Sequence, residues 1–239
     1  GGGNYTFANN LGAKNYTGLE LYGTTAMARA ITLDGTHGGT LLLNGATSSV
    51  SGGVTLNGTV PVTASGTVST LTGVVSGSGS LVKLGAGTLT LKSANTYTGD
   101  TVISTGTLAV QNGAALSDTA AVTVVSGGIL DLLSNETVGS LAGGGSVTLG
   151  GNTLTVGGNG AGTEFSGVIS GTGASNLTLN AGAPLYVTGA NTYAGNTTLS
   201  GAAAVAVPSI GRSGATARNC GTRLGGGALV VGHAGPTGG

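Results

Sequence analysis

The chain is poor in almost every side chain that usually does chemistry. Its 239 residues include seven Lys or Arg, seven Asp or Glu, two His and one Cys. There is no Trp, and aromatic residues make up only 3%. The balanced charge leaves no field to draw nucleic acid or an anionic membrane. No apolar run approaches the length that spans a bilayer, so insertion by this chain is not expected. Cys220 stands alone, so no intramolecular disulfide forms. It fits an extracellular chain that crosses a membrane unfolded, where a disulfide would jam the passage, and equally an incidental buried thiol. The scarcity of aromatics argues against a β-sandwich core, which large rings usually dominate. The first residue is Gly1 and the only methionine is Met27, which suggests a processed or excised segment.

What is abundant is glycine, at 51 residues, together with a hydrophobic fraction of 39%. Disorder pairs low hydrophobicity with high charge, the opposite of this profile. The glycines follow no three-residue period, which removes collagen. Short apolar cores recur from residue 31 to residue 207. Many alternate strictly, as in Leu89-Thr90-Leu91, Val122-Thr123-Val124 and Leu177-Thr178-Leu179. Alternation at period two marks half-buried strands with an aliphatic inner face and a hydroxyl outer face. Linkers of Gly-Gly and Gly-x-Gly differ from the Asn-Gly or Asp-Gly turns of two-residue hairpins. Residues 24–31 are the one stretch with helical character, suited to capping an end.

One stretch organises the rest. Asn95-Thr96-Tyr97-Thr98-Gly99-Asp100 returns as Asn191-Thr192-Tyr193-Ala194-Gly195-Asn196, and Gly73-Val74-Val75-Ser76-Gly77 returns as Gly167-Val168-Ile169-Ser170-Gly171. A long internal repeat of several short strands is the signature of a solenoid. The expected fold is therefore all-β: a right-handed parallel β-helix with about three strands per coil. At ~20–25 residues per coil it has on the order of ten coils, each stabilised by its neighbours. The repeated Asn95, Tyr97 and Gly99, and their counterparts Asn191, Tyr193 and Gly195, are expected to be structural turn residues. Asn would bond turn backbone and Tyr would pack over a coil corner.

Residues 77–110 resemble the autotransporter-associated β-strand repeat of passenger domains. Gly79, Leu81, Lys83, Gly85, Gly87, Thr88, Leu89, Leu91, Asn95, Tyr97, Gly99, Thr101, Gly106, Thr107 and Leu108 carry the resemblance. The second copy departs from it, with no counterpart of Lys83 and with Ala183-Pro184 in place of Gly87-Thr88. The resemblance implies a passenger segment of a Gram-negative surface or secreted protein, exported through an outer-membrane barrel. Such a segment serves as a stalk or scaffold with an adhesive role.

Side chains that invite a chemical reading are few. Asp34 and His37 lie three apart, but no nucleophile accompanies them, and a polar turn is the favoured reading. His233 sits in a glycine-rich tail. Asp131 and Glu136 are the closest acidic pair, yet a polysaccharide-cleaving site gathers more acids than this. Asp131, between Leu130 and Leu132, is expected to point outward. Two His and one Cys far apart give no zinc pattern. Gly77-x-Gly79 and Gly85-x-Gly87 lack the continuation of a nucleotide loop. Thr-x-Thr pairs at Thr88 and Thr153 fail to recur at every coil, so no ice-binding lattice is expected.

The sequence thus divides into a parallel β-helix over 1–207, with an irregular cap region at 1–30, and a closing Gly/Arg-containing segment at 208–239. The expected function is structural and adhesive, without catalysis and without cofactors, at the cell surface or outside the cell. Glycans or a host or neighbouring cell surface are the expected partners. A self-associating solenoid that stacks end to end into filaments is the alternative, and a polysaccharide-active enzyme the weaker one.

Overall fold

A computed structural model describes residues 5–7, 18–22, 24–180, 184–200, 204–207, 223–225 and 228–231. Strands that follow one another in sequence do not pair. Each strand instead pairs, in parallel, with its equivalent one coil later. Hydrogen bonds from side chains to the adjoining coil span 18 to 24 residues, which sets the coil length. Three stacked faces result, and the chain winds through them in order.

Face one begins with Tyr5–Phe7, Ile31–Asp34, Val54–Asn57 and Val75–Ser76. It resumes with Glu136–Val138, Thr153–Val156, Asn176–Leu179, Thr197–Ser200 and Arg223–Gly225. Face two stacks Gly18–Leu21, Thr40–Leu43, Thr59–Ala64, Ser80–Leu84, Thr101–Ile103, Ala121–Val124 and Ser140–Ala142. A parallel bridge from Gly143 to Phe165 continues it into Thr163–Phe165, Leu185–Val187, Ala204–Val207 and Ala228–Val231. Face three is an unbroken ladder of eight strands, from Thr24–Met27 to Val168–Ser170. Residues 24–27, expected to have helical character, are thus a strand. Their backbone pairs in register with Thr47–Val50, and ladder bonding outweighs local propensity.

Alternation places one aliphatic side chain per rung into the tube. On face two Leu41, Val62, Ile103 and Val124 stack in one internal row, all fully buried. Each such burial contributes about 1.5–3 kcal/mol, set against backbone ordering of about 1–2 kcal/mol per residue. On face three the row Leu89, Leu108, Leu130, Val147 and Ile169 begins with Ser69 and Ser48. Those two hydroxyls are fully buried in the tube and have no hydrogen-bond partner among the described residues.

Candidate functional site

Between the two stretches of face one the ladder is carried by irregular chain, and the first repeat corner lies there. Thr96 and Thr98 donate backbone N–H bonds to Val75 and Gly77, while Asn95 donates to Ala114. The Asn95 side chain reaches both neighbouring coils. Its Oδ1 accepts from the Val75 N–H at 2.8 Å and its Nδ2 donates to the Ala115 carbonyl at 2.8 Å. Tyr97 points inward, 1% exposed, and its hydroxyl lies 2.7 Å from Thr101 Oγ1. Burial pushes its phenol up, so the group stays a neutral hydrogen-bonding hydroxyl. Gly99 passes so near the Gly79 carbonyl that a Cβ would collide with it.

The second corner repeats this with fewer ties among the described residues. Asn191 Oδ1 accepts from the Ile169 N–H at 2.8 Å, and its Nδ2 donates, among the described residues, only to the Gly189 carbonyl, two residues away. Tyr193 hydroxyl meets Thr197 Oγ1 at 2.5 Å, with the ring half-buried. A Cβ on Gly195 would collide with the Ser175 carbonyl. The copies also occupy different faces. Val75 lies on face one, whereas its counterpart Ile169 lies on face three and receives the Thr192 N–H there. Thr101–Ile103 lies on face two, and its counterpart Thr197–Ser200 on face one. The second copy is therefore turned by one face around the axis, because the two copies are not separated by a whole number of coils.

Two titratable side chains, Lys83 and Glu136, are buried inside the tube. The strand Ser80–Leu84 keeps the usual phase but puts a lysine in it: Leu81 and Lys83 are fully buried, while Val82 and Leu84 lie on the outer side. Lys83 Nζ donates to the carbonyls of Leu84, Gly85 and Thr105 at 2.9, 2.7 and 3.0 Å. Gly85, with φ 82°, turns its carbonyl into this cage, a backbone that side chains rarely adopt. Burial pulls the ammonium down to about 8. Glu136, 2% exposed, accepts from the N–H groups of Ala115 and Leu116, both at 3.2 Å. Burial pushes its carboxyl up to about 7. Lys83 thus holds carbonyls and Glu136 holds N–H groups, each bridging successive coils, Glu136 where the face-one ladder is interrupted and Lys83 at the turn that follows its face-two strand. Sequence reasoning missed this use of Lys83 and Glu136, since alternation assigns Lys to the outside.

The remaining candidates do not converge. Asp34 caps a single 3₁₀ turn, Gly35–His37, accepting from Thr36 N–H at 3.1 Å and from Thr36 Oγ1 at 2.5 Å. His37 Nδ1 sits 2.7 Å from Asp34 Oδ2, so the pair builds a polar turn, and the hydroxyl and imidazole hold Asp34 below the usual carboxylate range. Asp131 is half-buried on the outer side of face three, its carboxyl raised by burial, while Glu136 points into the tube. Among the described residues no group of three His, Cys, Asp or Glu could hold a metal ion. Cys220, His233 and most of 208–239 lie outside the described residues. An open depression between faces three and one is lined by Lys92, Gln111, Asn112, Leu133 and Ser134.

The outer surfaces of the three faces differ in chemistry. Face two carries a half-exposed apolar row, Pro61, Val82 and Val102, flanked by Leu42 and Leu84. Face three mixes Thr88 and Thr107 with Val68, Ile129 and Asp131. Face one, beyond the first corner, stacks Thr137, Thr155, Thr178 and Thr198 in strict register. Among the described residues no helix is long and apolar enough to cross a membrane, which leaves barrel strands unaddressed.

Comparison with known proteins adds two likenesses. Residues 81–110 match the Passenger-associated-transport-repeat family, over the strands and corner built around Lys83, Asn95 and Tyr97. Over 202 residues, 77% of the chain, the sequence is 37% identical to the adhesin BmaC autotransporter of Brucella suis biovar 1 (strain 1330). The chain spans 6% of that relative's length. No solved structure matches. Repeat, coil geometry and this likeness agree: the chain is a parallel β-solenoid that carries the passenger-associated transport repeat at residues 81–110 and is similar to part of an autotransporter adhesin.

Proposed function

We propose that the chain is an adhesive scaffold of an exported surface protein, a rod that presents its outer faces to a partner surface and performs no chemistry of its own. The observation that carries this is where the repeat spends its polar groups. Asn95, Lys83 and Glu136 are committed to hydrogen bonds that hold neighbouring coils together, and Tyr97 is committed to Thr101 within its own coil. In this reading Asn95, Tyr97, Gly99, Asn191, Tyr193 and Gly195 are structural corner residues. The likeness to an autotransporter adhesin supports both the surface location and the adhesive role. Groups that would touch a partner are then the outward side chains of the three faces. The test is adhesion of beads coated with the chain to cultured epithelial monolayers and to neighbouring bacteria, beside albumin-coated beads. Retention above albumin on either surface supports the reading, and equal retention on both refutes it.

A further inference from the structure

The corner that follows face three carries polar side chains that the coil itself does not use. Lys92, Gln111 and Leu133 come directly after Leu91, Val110 and Leu132, which pair in register. Their N–H groups donate to the carbonyls of Leu71, Leu91 and Val110. The three therefore stand in one column, about 4.8 Å apart along the axis. With Asn112 and Ser134 they line an open depression of about 500 Å³, a size found among small-ligand sites. Its base is held by a turn. Asn112 and Gly113 have φ of 86° and 74°, as suits an Asn-Gly pair, and the Gly113 N–H donates to Ser134 Oγ at 2.9 Å.

The polar groups around this depression are unspent. Lys92 Nζ and the carboxamides of Gln111 and Asn112 make no hydrogen bond or ion pair among the described residues. Other asparagines are committed, Asn95 and Asn152 to neighbouring coils and Asn176 to the Asn196 N–H. Lys92 is exposed, whereas Lys83 is buried in its carbonyl cage. Leu133 lies among them at 49% exposure. A single ammonium is a point charge, enough for one carboxylate. A phosphate is better held by an arginine fork or a nest of free N–H groups, and here the N–H groups of Lys92, Gln111, Gly113 and Leu133 are already donated. The same pairing leaves no open strand edge for an extended peptide. Nucleic acid requires several cations, not one. Each carboxamide sets a donor beside an acceptor, which matches two neighbouring hydroxyls, and Leu133 offers an apolar surface to ring C–H groups. Carboxylate, adjacent hydroxyls and an apolar ring face occur together in an acidic sugar.

We propose that the depression lined by Lys92, Gln111, Asn112, Leu133 and Ser134 binds a carboxylate-bearing sugar, with Lys92 on the carboxylate and the two carboxamides on ring hydroxyls. This rests on the adhesive reading and names the group contacted. The test is an amide NMR titration of the 239-residue chain with methyl glucuronide. Methyl glucoside, which has a hydroxymethyl group in place of the carboxylate, is the matched comparison. Glucuronide is expected to shift the amide signals of Lys92, Gln111, Asn112, Gly113, Leu133 and Ser134, and to bind about tenfold more tightly than glucoside. Lys92→Met removes that preference. Asn112→Gly, which keeps the turn, weakens glucuronide by about threefold, the scale of one neutral hydrogen bond. Thr155→Val on face one changes neither, and melting curves show that all three variants fold. Equal binding of the two sugars, signal shifts confined to other parts of the rod, or no response to glucuronide overturns the assignment. So does acetate, inorganic phosphate or an oligoglutamate peptide that binds as tightly as glucuronide. Bead adhesion to cells that persists while glucuronide fails sinks this inference and leaves the adhesive reading standing.

Discussion

Replacing Asn95 by Ala removes one side chain that ties three coils together. Two backbone groups lose their partners, the Val75 N–H and the Ala115 carbonyl, and both residues are buried, at 1% and 0% exposure. An unsatisfied buried group costs about 1–3 kcal/mol, so Asn95→Ala is expected to destabilise the fold by ~3 kcal/mol. Among the described residues the equivalent Asn191→Ala strands only the Ile169 N–H in a neighbouring coil, because its other bond there is local. Its expected cost is about half, ~1.5 kcal/mol. Urea denaturation followed by far-ultraviolet circular dichroism separates the two. With a slope of ~2 kcal/mol/M, the midpoints fall by ~1.5 M and ~0.7 M. Native-state hydrogen exchange adds a local readout, since the Val75 amide should exchange faster in Asn95→Ala while amides of distant coils do not. Asn95→Asp keeps the acceptor for Val75 but turns a second oxygen toward the Ala115 carbonyl, and should be at least as damaging as Ala. Equal midpoint shifts for the two Ala variants would refute the cross-coil argument.

Two further outcomes follow from buried polar groups. Glu136 titrates near 7 in the fold, above its ordinary 4.5, so its contribution is full below about 4.5 and lost as pH rises through about 7. Lys83 titrates near 8, below its ordinary 10.5, so its burial penalty stands below about 8 and is relieved as pH rises toward 10.5. Stability should therefore pass through a minimum between about 7 and 8, with limbs of up to ~2–3 kcal/mol. In urea titrations across pH, Glu136→Gln should flatten the acid limb and Lys83→Met the alkaline limb; a wild-type profile without a minimum would contradict both assignments. Ser48→Ala and Ser69→Ala remove hydroxyls that are buried without partners among the described residues. Each should raise stability by ~1 kcal/mol, read as an upward shift in the melting temperature. A loss of stability would show that a bond or water holds them.

The fold was legible because its main determinants are local and repeated. Period-two alternation in Leu89-Thr90-Leu91 or Leu177-Thr178-Leu179 names both the strand and its inner face, and the long repeat excludes hairpin architectures. The corner residues were legible through recurrence, as Asn and Tyr return with the same neighbours. What alternation could not show is where a polar residue goes inward. Lys83 occupies an inner row whose other members include Val62 and Ile103, and only three-dimensional stacking brings it the Thr105 carbonyl. Glu136 was grouped with Asp131 by proximity in sequence, but the turn between them sends one inside and leaves the other outside. Residues 24–27 misled because a four-residue strand has no periodicity to outweigh its composition. The threonine ladder was hidden for a related reason. Coils of unequal length move Thr137, Thr155, Thr178 and Thr198 out of any fixed sequence spacing, although they fall into one column.

The one-face turn between the two repeat copies has a consequence for how such a rod can lengthen or shorten. If recombination joined the chain at equivalent points of the two copies, the excised stretch would not be a whole number of coils. Every strand would still meet a compatible neighbour, since Val75 and Ile169 fill the same place in their units, so the tube would close without a fault. The distal part, however, would arrive rotated by about a third of a turn relative to the proximal part. Surfaces aligned along one flank before the event would point in different directions after it. Copy number in such a chain therefore sets heading as well as length, and a family of rods with different numbers of repeats would differ in which side each presents.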